Sequence, residues 1–386
     1  MTRKAFPLFA FLIILALVIA ACGGGGGPTP SVGEPETVVQ TVEVVRTVVV
    51  TVEVPVEGEP VAPPQPSGYG VIADRVRERG RLVCGGRTDL TGFGYLDANG
   101  RNIGFDADFC RALAAAVLGD PEAVEFVPLT AADRGPALQN GEVDMLSRNA
   151  TWNSKRDAEW GNFTWITFYD GQGFIVPADS DIQTLEDMDG ATVCVTSGTT
   201  TEKNLATAFS DAGLTYEAVI FEETAAVYGA YDEGRCDVAT SDLSQLASIQ
   251  TGLQDPTAHR LLGFAISKEP LTPAVPSGDD QWFDIVKTVI WALINAEEYG
   301  ITQANVGEMT NSEDADIRTL LGNGDDWGHA ALELSPDALA NAIRAVGNYG
   351  EIYDRYFGPE GIAFTLPREL NNLWTSGGLI YAPPIR

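Results

Sequence analysis

A short alternation of β-strand and helix patterns runs through the chain twice, and it limits the possible folds more than any other feature. The first run starts at Leu82 and the second at Thr192. Each run places short β-branched or apolar stretches between longer stretches with apolar residues at helical spacing. This alternation predicts parallel strands with helices on both faces of the sheet. Two runs therefore predict two α/β lobes, each with its own largely parallel sheet.

The predicted elements follow the same order in both runs. The first run predicts strands at 82–84, 124–127 and 143–146, with helices at 106–118 and 133–139. The second predicts strands at 192–195, 217–221 and 237–240, with helices at 201–212, at 224–231 and from Asp242 onward. Asp106 is expected to cap the first helix of the first run. Two further helical stretches, at 280–298 and 335–356, follow.

The chain is long enough for two lobes and a tail, because 386 residues exceed what one core normally holds. We predict that the first lobe comprises 71–174 and 269–386, and the second 175–268. A chain that leaves one lobe and later returns to it crosses between them twice, and we place these crossing strands near 170–175 and 266–270. Gly171 and Gly173 would give the first crossing the backbone freedom of a hinge.

The N-terminus has the features of an export signal. Arg3 and Lys4 precede an apolar stretch at 6–20, which is shorter than the ~20 residues that a membrane span needs. Ala20-Ala21-Cys22 then resembles a lipobox, in which the cysteine becomes the lipidated first residue of the mature protein. We predict a signal peptide at 1–21 and a lipid anchor on Cys22. An ordinary signal with an incidental cysteine is the alternative.

Residues 22–70 are predicted to form the anchor and a low-complexity tether. Five consecutive glycines, at 23–27, are followed by a Val/Thr/Glu tract at 37–56 and a proline-rich stretch. Such stretches act as spacers, because they cannot form a packed core. The alternative for the Val/Thr tract is a strand that pairs or self-associates. Since no later stretch is uniformly apolar over ~18 residues, we predict no downstream membrane span.

Four cysteines remain beyond Cys22, and an exported protein meets oxidising conditions in which disulfides persist. Cys84, Cys110, Cys194 and Cys236 allow three pairings. Proximity in sequence and membership of the same lobe favour Cys84–Cys110 and Cys194–Cys236. The sequence has no Cys-x-x-Cys motif, and its two histidines lie far apart, so we expect no metal site.

The formal net charge of −30 argues against a nucleic-acid partner, because phosphate binding needs a basic surface. In so acidic a chain, an arginine beside a ligand cleft is informative. The sequence also lacks a Ser-His-Asp set, a GxSxG motif, an HExxH motif and a phosphate-binding loop. We therefore predict no catalytic residues and no cofactor.

Four loops lie where a ligand of an open α/β sheet is expected, beyond the carboxyl ends of the strands. They are the loops at 85–93, 147–156, 196–202 and 240–242. In the third loop, Thr199 and Glu202 have the spacing of a capping box, and Gly198 lets backbone amides approach a ligand. A helix N-terminus attracts an anion, so this loop predicts an anion site. A helix cap without a ligand is the alternative.

Arg156 and Asp242 supply opposite charges to these loops. Arg156 can hold a carboxylate through two parallel hydrogen bonds, and its alternative is a surface arginine in the first turn of a helix. Asp242 can pair with an ammonium group, and its alternative is a helix N-cap. Phe93 and Trp152 can supply apolar walls or belong to the cores. An anion site, a cation site and apolar walls together fit a zwitterion such as one amino acid.

Eight segments, in the same order along the chain, resemble the polar amino-acid-binding proteins of ABC importers, especially the general L-amino-acid and glutamate/aspartate/glutamine group. They are GFDADFCRA at 104–112, ALQNGEVD at 137–144, SRNATW at 147–152, YDGQGF at 169–174, SGTTTE at 197–202, GRCDV at 234–238, GNYGEIY at 347–353 and YAPPIR at 381–386. The resemblance covers about 80–386. It implies the type II periplasmic-binding-protein fold, an α/β fold with two lobes, two crossing hinge strands and a ligand in the cleft.

The resemblance also implies a role for each candidate site residue. Arg156 would hold the α-carboxylate of the ligand, helped by Thr151 and by the backbone amides of Thr199 and Thr200. The groups implied at the α-ammonium are Asp242 and the backbone near Asn149. Those implied at the ligand side chain are Phe93 as a wall and Arg134 and Arg87 at the far end.

Two positions depart from the family pattern. Ala131 stands where the family often has an aromatic residue, and Thr196 stands where it often has a lysine. These departures weaken a specific expectation of glutamine. Arg87 and Arg134 instead favour glutamate or aspartate, because each arginine can meet a side-chain carboxylate.

The chain is thus expected to be a monomeric lipoprotein on the outer face of the cell membrane, which delivers an amino acid to the permease of an ABC importer. Two other classes share this fold. A dehydratase-like enzyme would need an acid or base over its substrate, for which Glu202 and Asp89 are the candidates. A sensory ligand-binding protein would need a signalling partner.

Overall fold

The computed structural model describes residues 70–386. The predicted signal peptide, the anchor on Cys22 and the tether lie outside the described residues. The strands are β1 (Leu82–Gly86), β2 (Asp89–Leu90), β3 (Gly94–Leu96), β4 (Asn102–Ile103), β5 (Val124–Pro128), β6 (Met145–Leu146), β7 (Asn162–Phe163), β8 (Phe168–Asp170), β9 (Gln172–Pro177), β10 (Ala191–Thr196), β11 (Tyr216–Phe221), β12 (Val238–Asp242), β13 (His259–Leu261), β14 (Glu269–Leu271) and β15 (Ala274–Val275).

Twelve α-helices accompany these strands within residues 70–386. They are α1 (Val71–Arg79), α2 (Phe105–Leu118), α3 (Arg134–Gln139), α4 (Ser154–Glu159), α5 (Thr200–Ala212), α6 (Thr224–Asp232), α7 (Leu243–Gln250), α8 (Asp280–Glu298), α9 (Val306–Met309), α10 (Ala315–Leu320), α11 (Ala338–Val346) and α12 (Tyr349–Phe357). Within the described part of the chain, none of the helices is long and apolar enough to cross a membrane.

Two five-stranded sheets form the two lobes. The first has the order β5-β1-β6-β15-β7, and the second has the order β11-β10-β12-β9-β13. In each sheet the fourth strand of this order, β15 or β9, runs antiparallel to the other four. Each sheet is therefore mixed, although four of its five strands share one direction as predicted, because β9 and β15, the first strands after the two crossings, run opposite to their neighbours.

The chain crosses between the lobes at β8 and β14, which pair antiparallel with Glu269 opposite Asp170 and Leu271 opposite Phe168. This confirms the two crossing strands of the type II fold. Neither Gly171 nor Gly173 has a positive φ angle. A Cβ at Gly173 would instead lie 2.2 Å from Cδ2 of Leu243. The glycines at the hinge are thus explained by close packing, not by an unusual backbone conformation.

Both predicted disulfides are confirmed. Cys84 on β1 is bonded to Cys110 on α2, and Cys194 on β10 is bonded to Cys236 just before β12. Each bridge thus stays within one lobe. The hinge itself carries no covalent cross-link between described residues, so the bridges leave it free to open and close.

Two helix boundaries differ from the sequence prediction. Helix α2 begins at Phe105 after Gly104, so Asp106 lies in the first turn and does not cap the helix. The predicted helix at 335–356 is two helices, α11 and α12, which Gly347 separates. Gly347 has a φ of 84°, and the side chain of Asn348 then caps α12 by accepting from the Glu351 amide.

Candidate functional site

A cavity lies between the two lobes, where the carboxyl ends of β1, β6, β10 and β12 meet. Lobe 1 contributes Arg87, Ala131, Arg134, Arg148, Asn149, Thr151 and Arg156 to its lining. Lobe 2 contributes Thr196, Thr199, Thr200, Thr201, Thr224, Ser241, Asp242 and Gln245. The structure thus brings the four candidate loops together, and both lobes must be in place for the cavity to exist.

Asp242 is a buried carboxylate in the lining of the cavity. It is the last residue of β12, and its side chain makes no capping bond to α7. The residue is 5% exposed, and its Oδ1 atom has no hydrogen-bond partner among the described residues. A buried unpaired carboxylate oxygen is costly. Asp242 therefore does not act as the cap of α7. Its unpaired oxygen instead favours a cationic group in the cavity.

The electrostatic surroundings of Asp242 also favour a cationic group beside it. Burial raises the pKa of Asp242 well above its ordinary value, and the nearby carboxylates of Asp170 and Glu269 raise it further. Burial also raises the pKa of Asp170 to about 7, although Ser244 and Gly171 donate hydrogen bonds to it. Ionising both aspartates together is unfavourable. An added ammonium group would relieve that repulsion and stabilise the charged form of Asp242.

Three buried arginines face this carboxylate across the cavity without acidic partners. No carboxylate oxygen of residues 70–386 lies within 4.0 Å of the guanidinium groups of Arg134, Arg148 or Arg156. Each donates one hydrogen bond, to a backbone carbonyl, at 3.0, 2.6 and 3.1 Å respectively. The lining therefore carries an excess of positive charge, and this excess favours an anion.

Arg148 and Arg156 remain protonated at neutral pH in spite of their burial. Burial lowers the pKa of Arg148 to about 9, with a further lowering by the neighbouring charge of Arg87. Burial lowers the pKa of Arg156 to about 10, while Asp242 and Glu269 act in the opposite direction. Burial and the charge of Arg156 also lower the pKa of Arg134. A carboxylate bound among the three would stabilise their charged forms.

Arg156 is held in place by its own helix and by an aromatic ring. The side chain of Asn153 caps α4 by accepting from the Arg156 amide at 2.9 Å. The guanidinium lies over the ring of Trp160, with its central carbon 4.5 Å from the ring centroid, and its Nη1 donates to the Thr151 carbonyl. This arrangement fixes the planar donor group at the cavity wall. Its remaining donors are available for a carboxylate.

Arg87 has a different environment from the one expected of a ligand contact. Its Nε donates to Asp89 at 2.8 Å, and its Nη1 donates to Asn149 at 3.2 Å and to Gln245 at 3.1 Å. Its Nη2 donates to Thr224 at 3.3 Å. Gln245 and Thr224 belong to the second lobe. Arg87 therefore bridges the two lobes at the edge of the cavity, and all three of its nitrogens already donate hydrogen bonds.

Asn149 is positioned by the first turn of α2. Its backbone amide donates to Oδ2 of Asp106 at 2.7 Å, and its φ angle is 30°. Positive φ values are tolerated by asparagine more readily than by most residues. The loop that carries Arg148 and Thr151 is thereby anchored against the lobe 1 core, which explains how Asp106 serves the site without capping its helix.

The N-terminus of α5 faces the cavity through Thr199, Thr200 and Thr201. The hydroxyl of Thr199 caps the helix by accepting from the Glu202 amide at 3.0 Å. Gly198 lies in a neighbouring depression and its amide donates to Glu202 at 2.9 Å, so this amide is already used. The helix N-terminus remains suited to an anion, but Gly198 is not part of the cavity wall.

Phe93 does not line the cavity, contrary to its expected role as a wall of the ligand site. It is 0% exposed, and its ring lies 5.3 Å from that of Phe168 and 4.9 Å from that of Phe357. An aromatic cluster in the lobe 1 core therefore holds Phe93 away from the cavity. Trp152 is also in a core, where its ring stacks on Phe163 at 6.3 Å. The cavity wall is polar, and the expected apolar walls are not formed by these two rings.

Several lining residues were not selected from the sequence. Arg148 lies inside a candidate loop, and its proximity to Arg156 was the available signal. Gln245 follows Asp242 by about one helical turn, and Thr224 begins the helix after β11. Neither side chain is charged, and neither residue belongs to a recognisable sequence motif. Only the packing of the two lobes brings them to the cavity.

Two α/β lobes that close over a charged cavity define the class of extracytoplasmic solute-binding proteins. Residues 82–306 match the model of the bacterial extracellular solute-binding proteins, family 3, and the chain belongs to that family. Family membership confirms the binding-protein class, the expected extracytoplasmic location and the absence of an enzymatic role. The lipid anchor on Cys22 stays a prediction.

The relatives are named as amino-acid-binding proteins. The chain is 51% identical over 313 residues to the general L-amino acid-binding periplasmic protein AapJ of Rhizobium johnstonii, covering 81% of this chain and 92% of that protein. It is 46% identical over 315 residues to the glutamate/glutamine/aspartate/asparagine-binding protein BztA of Rhodobacter capsulatus, covering 81% and 93%. These matches confirm the resemblance inferred from the eight sequence segments.

A solved structure confirms the fold. An ABC-transporter periplasmic binding protein from Brucella ovis, with glutathione bound, is 44% identical and has a TM-score of 0.79. The match covers 81% of this chain and 99% of the Brucella chain. The similarity therefore extends over both lobes and the hinge.

Proposed function

We propose that this chain binds an acidic or amide L-amino acid (glutamate, aspartate, glutamine or asparagine) between its lobes and delivers it to the permease of an ABC importer. The names of AapJ and BztA support this ligand class. The observation that carries the proposal is that Oδ1 of Asp242 has no hydrogen-bond partner among residues 70–386. Asp242 shares one cavity with three arginines that have no acidic partner in the same part of the chain. An amino acid supplies the complementary charges.

The positions of these groups give the ligand one orientation. The α-carboxylate lies between Arg156 and the N-terminus of α5, where a planar donor pair and a helix dipole both favour an anion. The α-ammonium lies against Asp242. The side chain then extends toward Arg134 and Arg148. Arg87, which is occupied by interlobe hydrogen bonds, closes the cavity beyond them.

Charge balance favours the acidic members of the ligand class. Arg134, Arg148 and Arg156 face a single lining carboxylate, that of Asp242. A zwitterion with a neutral side chain adds no net charge to this set. Glutamate or aspartate adds one negative charge where two arginines have no acidic partner, and buried charges are stabilised chiefly by such pairing. We therefore propose glutamate or aspartate as the preferred ligand.

Ligand binding is coupled to lobe closure in this mechanism. Arg156 belongs to one lobe and Asp242 to the other, so a ligand that contacts both favours the closed form. The shift in population cannot exceed the difference in affinity between the two forms. The closed, loaded protein is the form that we propose docks on the permease, as a monomer tethered outside the membrane through Cys22.

Calorimetric titration with the twenty amino acids tests the proposed ligand class. The protein is first unfolded, dialysed and refolded, so that any ligand carried over from expression is removed. We expect L-glutamate or L-aspartate to bind most tightly and the amides next, because only the acids supply a second carboxylate to Arg134 and Arg148. Tightest binding of a basic or large apolar amino acid would contradict the proposal.

A second candidate ligand is a glutamyl peptide such as glutathione, which is bound in the Brucella ovis relative. The observation that favours it is a further depression, which shares Arg87, Arg148 and Thr224 with the main cavity. The cleft thus continues past the proposed side-chain end of an amino acid. The same titration includes reduced glutathione. Tighter binding of glutathione than of any amino acid would make the peptide the ligand.

A further inference from the structure

We propose that Glu269 is a positioning residue of the ligand site, which joins the hinge to both lobes when the cleft closes. This inference rests on the proposed function. Glu269 is the first residue of the returning hinge strand β14 and is 1% exposed. Its Oε2 accepts from the Thr151 hydroxyl at 2.5 Å and from the Thr200 hydroxyl at 2.8 Å. These two threonines come from opposite lobes, and both line the cavity.

The other carboxylate oxygen of Glu269 is also fully used. Oε1 accepts from Nδ2 of Asn204 at 2.7 Å and from the Ser267 hydroxyl at 2.5 Å. A carboxylate offers about four lone-pair sites and no proton. Four donors meet four acceptor sites here, so every lone-pair site of the carboxylate is used. Glutamine at this position would turn an NH₂ group toward donors.

The backbone around Glu269 reinforces the link to lobe 1. The Trp152 amide donates to the Pro270 carbonyl at 2.8 Å, and Thr151 forms an isolated bridge with Leu271. The loop that carries Thr151 therefore lies directly beside β14. On the other side, Thr200 and Asn204 both lie in α5, the helix whose N-terminus faces the cavity. Opening the cleft would separate α5 from this loop and break the contacts of Glu269 with at least one lobe.

A contact that forms only on closure slows the reopening of the cleft. Glu269 does not line the cavity, so it acts on the ligand through Thr151 and Thr200 and through the lifetime of the closed form. Its loss should therefore raise the rate of ligand dissociation more than it lowers the rate of association. A general defect in folding would instead lower the active fraction and the melting temperature without this kinetic pattern.

The test compares Glu269→Gln with Glu297→Gln. Glu297 is also partly buried and charge-paired, with Arg368 at 2.6 Å, but it lies in α8 away from the cavity. The rate of L-glutamate dissociation is measured by stopped-flow tryptophan fluorescence, since Trp160 contacts Arg156. We expect about tenfold faster dissociation for Glu269→Gln, as for the loss of one charge-assisted hydrogen bond, and less than about twofold for Glu297→Gln.

A double-mutant cycle shows whether Glu269 acts through its threonine partner. Thr200→Val alone is expected to weaken L-glutamate binding, and adding Glu269→Gln should weaken it much less than the product of the single effects. Additive effects would overturn the proposal, as would dissociation rates that match those of Glu297→Gln. If Glu269→Gln does not fold, Ser267→Ala is measured in its place. We expect this variant to release L-glutamate about two- to threefold faster than wild type. An unchanged rate of dissociation would overturn the proposal.

Failure of the proposed function gives a different result. If the wild-type protein binds no amino acid, hydrogen exchange is measured without ligand on the same variants. Glu269→Gln should then exchange faster than wild type in β14 and the first turn of α5, and Glu297→Gln should not. Equal exchange in those segments would overturn the role of Glu269, whatever the ligand is.

Discussion

Replacing Asp242 with asparagine is expected to weaken the binding of L-glutamate by at least about 100-fold, because it removes one partner of a buried charge pair. The asparagine side chain keeps the volume of the aspartate but turns a neutral amide toward the ligand ammonium. In the native protein, by contrast, Oδ1 of Asp242 has no partner in residues 70–386 and is free for that group. Titration calorimetry measures the loss directly.

The matched control for this variant is Asp237→Asn. Asp237 lies five residues earlier, and its carboxylate accepts from the amide and hydroxyl of Thr192 at 2.8 and 2.6 Å. It is therefore a hydrogen-bonded aspartate of the same lobe that does not line the cavity. Its substitution should leave the affinity for L-glutamate within about twofold. Equal losses for both variants would remove Asp242 from the site.

The same carboxylate predicts how affinity depends on pH. Burial and the neighbouring Asp170 hold the pKa of Asp242 well above its ordinary value in the free protein. The ligand ammonium favours the ionised form, so binding lowers this pKa and releases protons at pH values near it. Affinity should therefore fall as the pH is lowered through the raised pKa of Asp242 in the free protein. Asp242→Asn should lose most of this pH dependence, and Asp237→Asn should keep it.

Replacing Arg156 with alanine is expected to cost at least ~2–3 kcal/mol of binding, or about 30- to 150-fold in affinity, as for a buried charge-assisted pair. The variant loses the planar donor pair and also its contact with Trp160. Arg156→Lys separates these effects, because lysine keeps the charge but cannot donate two parallel hydrogen bonds. We expect Arg156→Lys to lie between wild type and Arg156→Ala.

Lys155→Ala is the control for the helix that carries Arg156. Lys155 is the neighbouring residue on α4, and its side chain is 67% exposed. Its removal tests whether any loss comes from α4 itself and should change the affinity for L-glutamate by less than about twofold. An unchanged affinity in Arg156→Ala would show that the ligand carboxylate is held elsewhere.

Much of the fold could be predicted from the sequence because its signals are local. The strand and helix patterns specified two α/β lobes, and proximity within a lobe specified both disulfides. Within each lobe, two candidate loops met because the carboxyl ends of neighbouring parallel strands share an edge of the sheet, and the two lobes face each other across the cavity. Arg156 and Asp242 were selected for the same reason, since both lie at such ends and carry opposite charges.

The features that could not be predicted from the sequence depend on contacts between residues that are distant along the chain. Phe93 lies in a candidate loop, but a cluster of aromatic rings from α2, β8 and α12 draws it into the core. Arg87 lies at a strand end like a ligand contact, yet its donors meet Gln245 and Thr224 across the cleft. Glu269 gave no signal because its four partners come from three separate segments. Such groupings follow from packing and not from spacing along the chain.

Small-angle scattering tests the central claim most directly, namely that opposite charges from two lobes close around one small ligand. The radius of gyration is measured for the refolded protein alone and with saturating L-glutamate, and again for Asp242→Asn. A smaller radius with ligand in the wild type, and no change in Asp242→Asn at the same concentration, is the predicted result. An identical radius with and without every amino acid, together with no heat of binding, would contradict it.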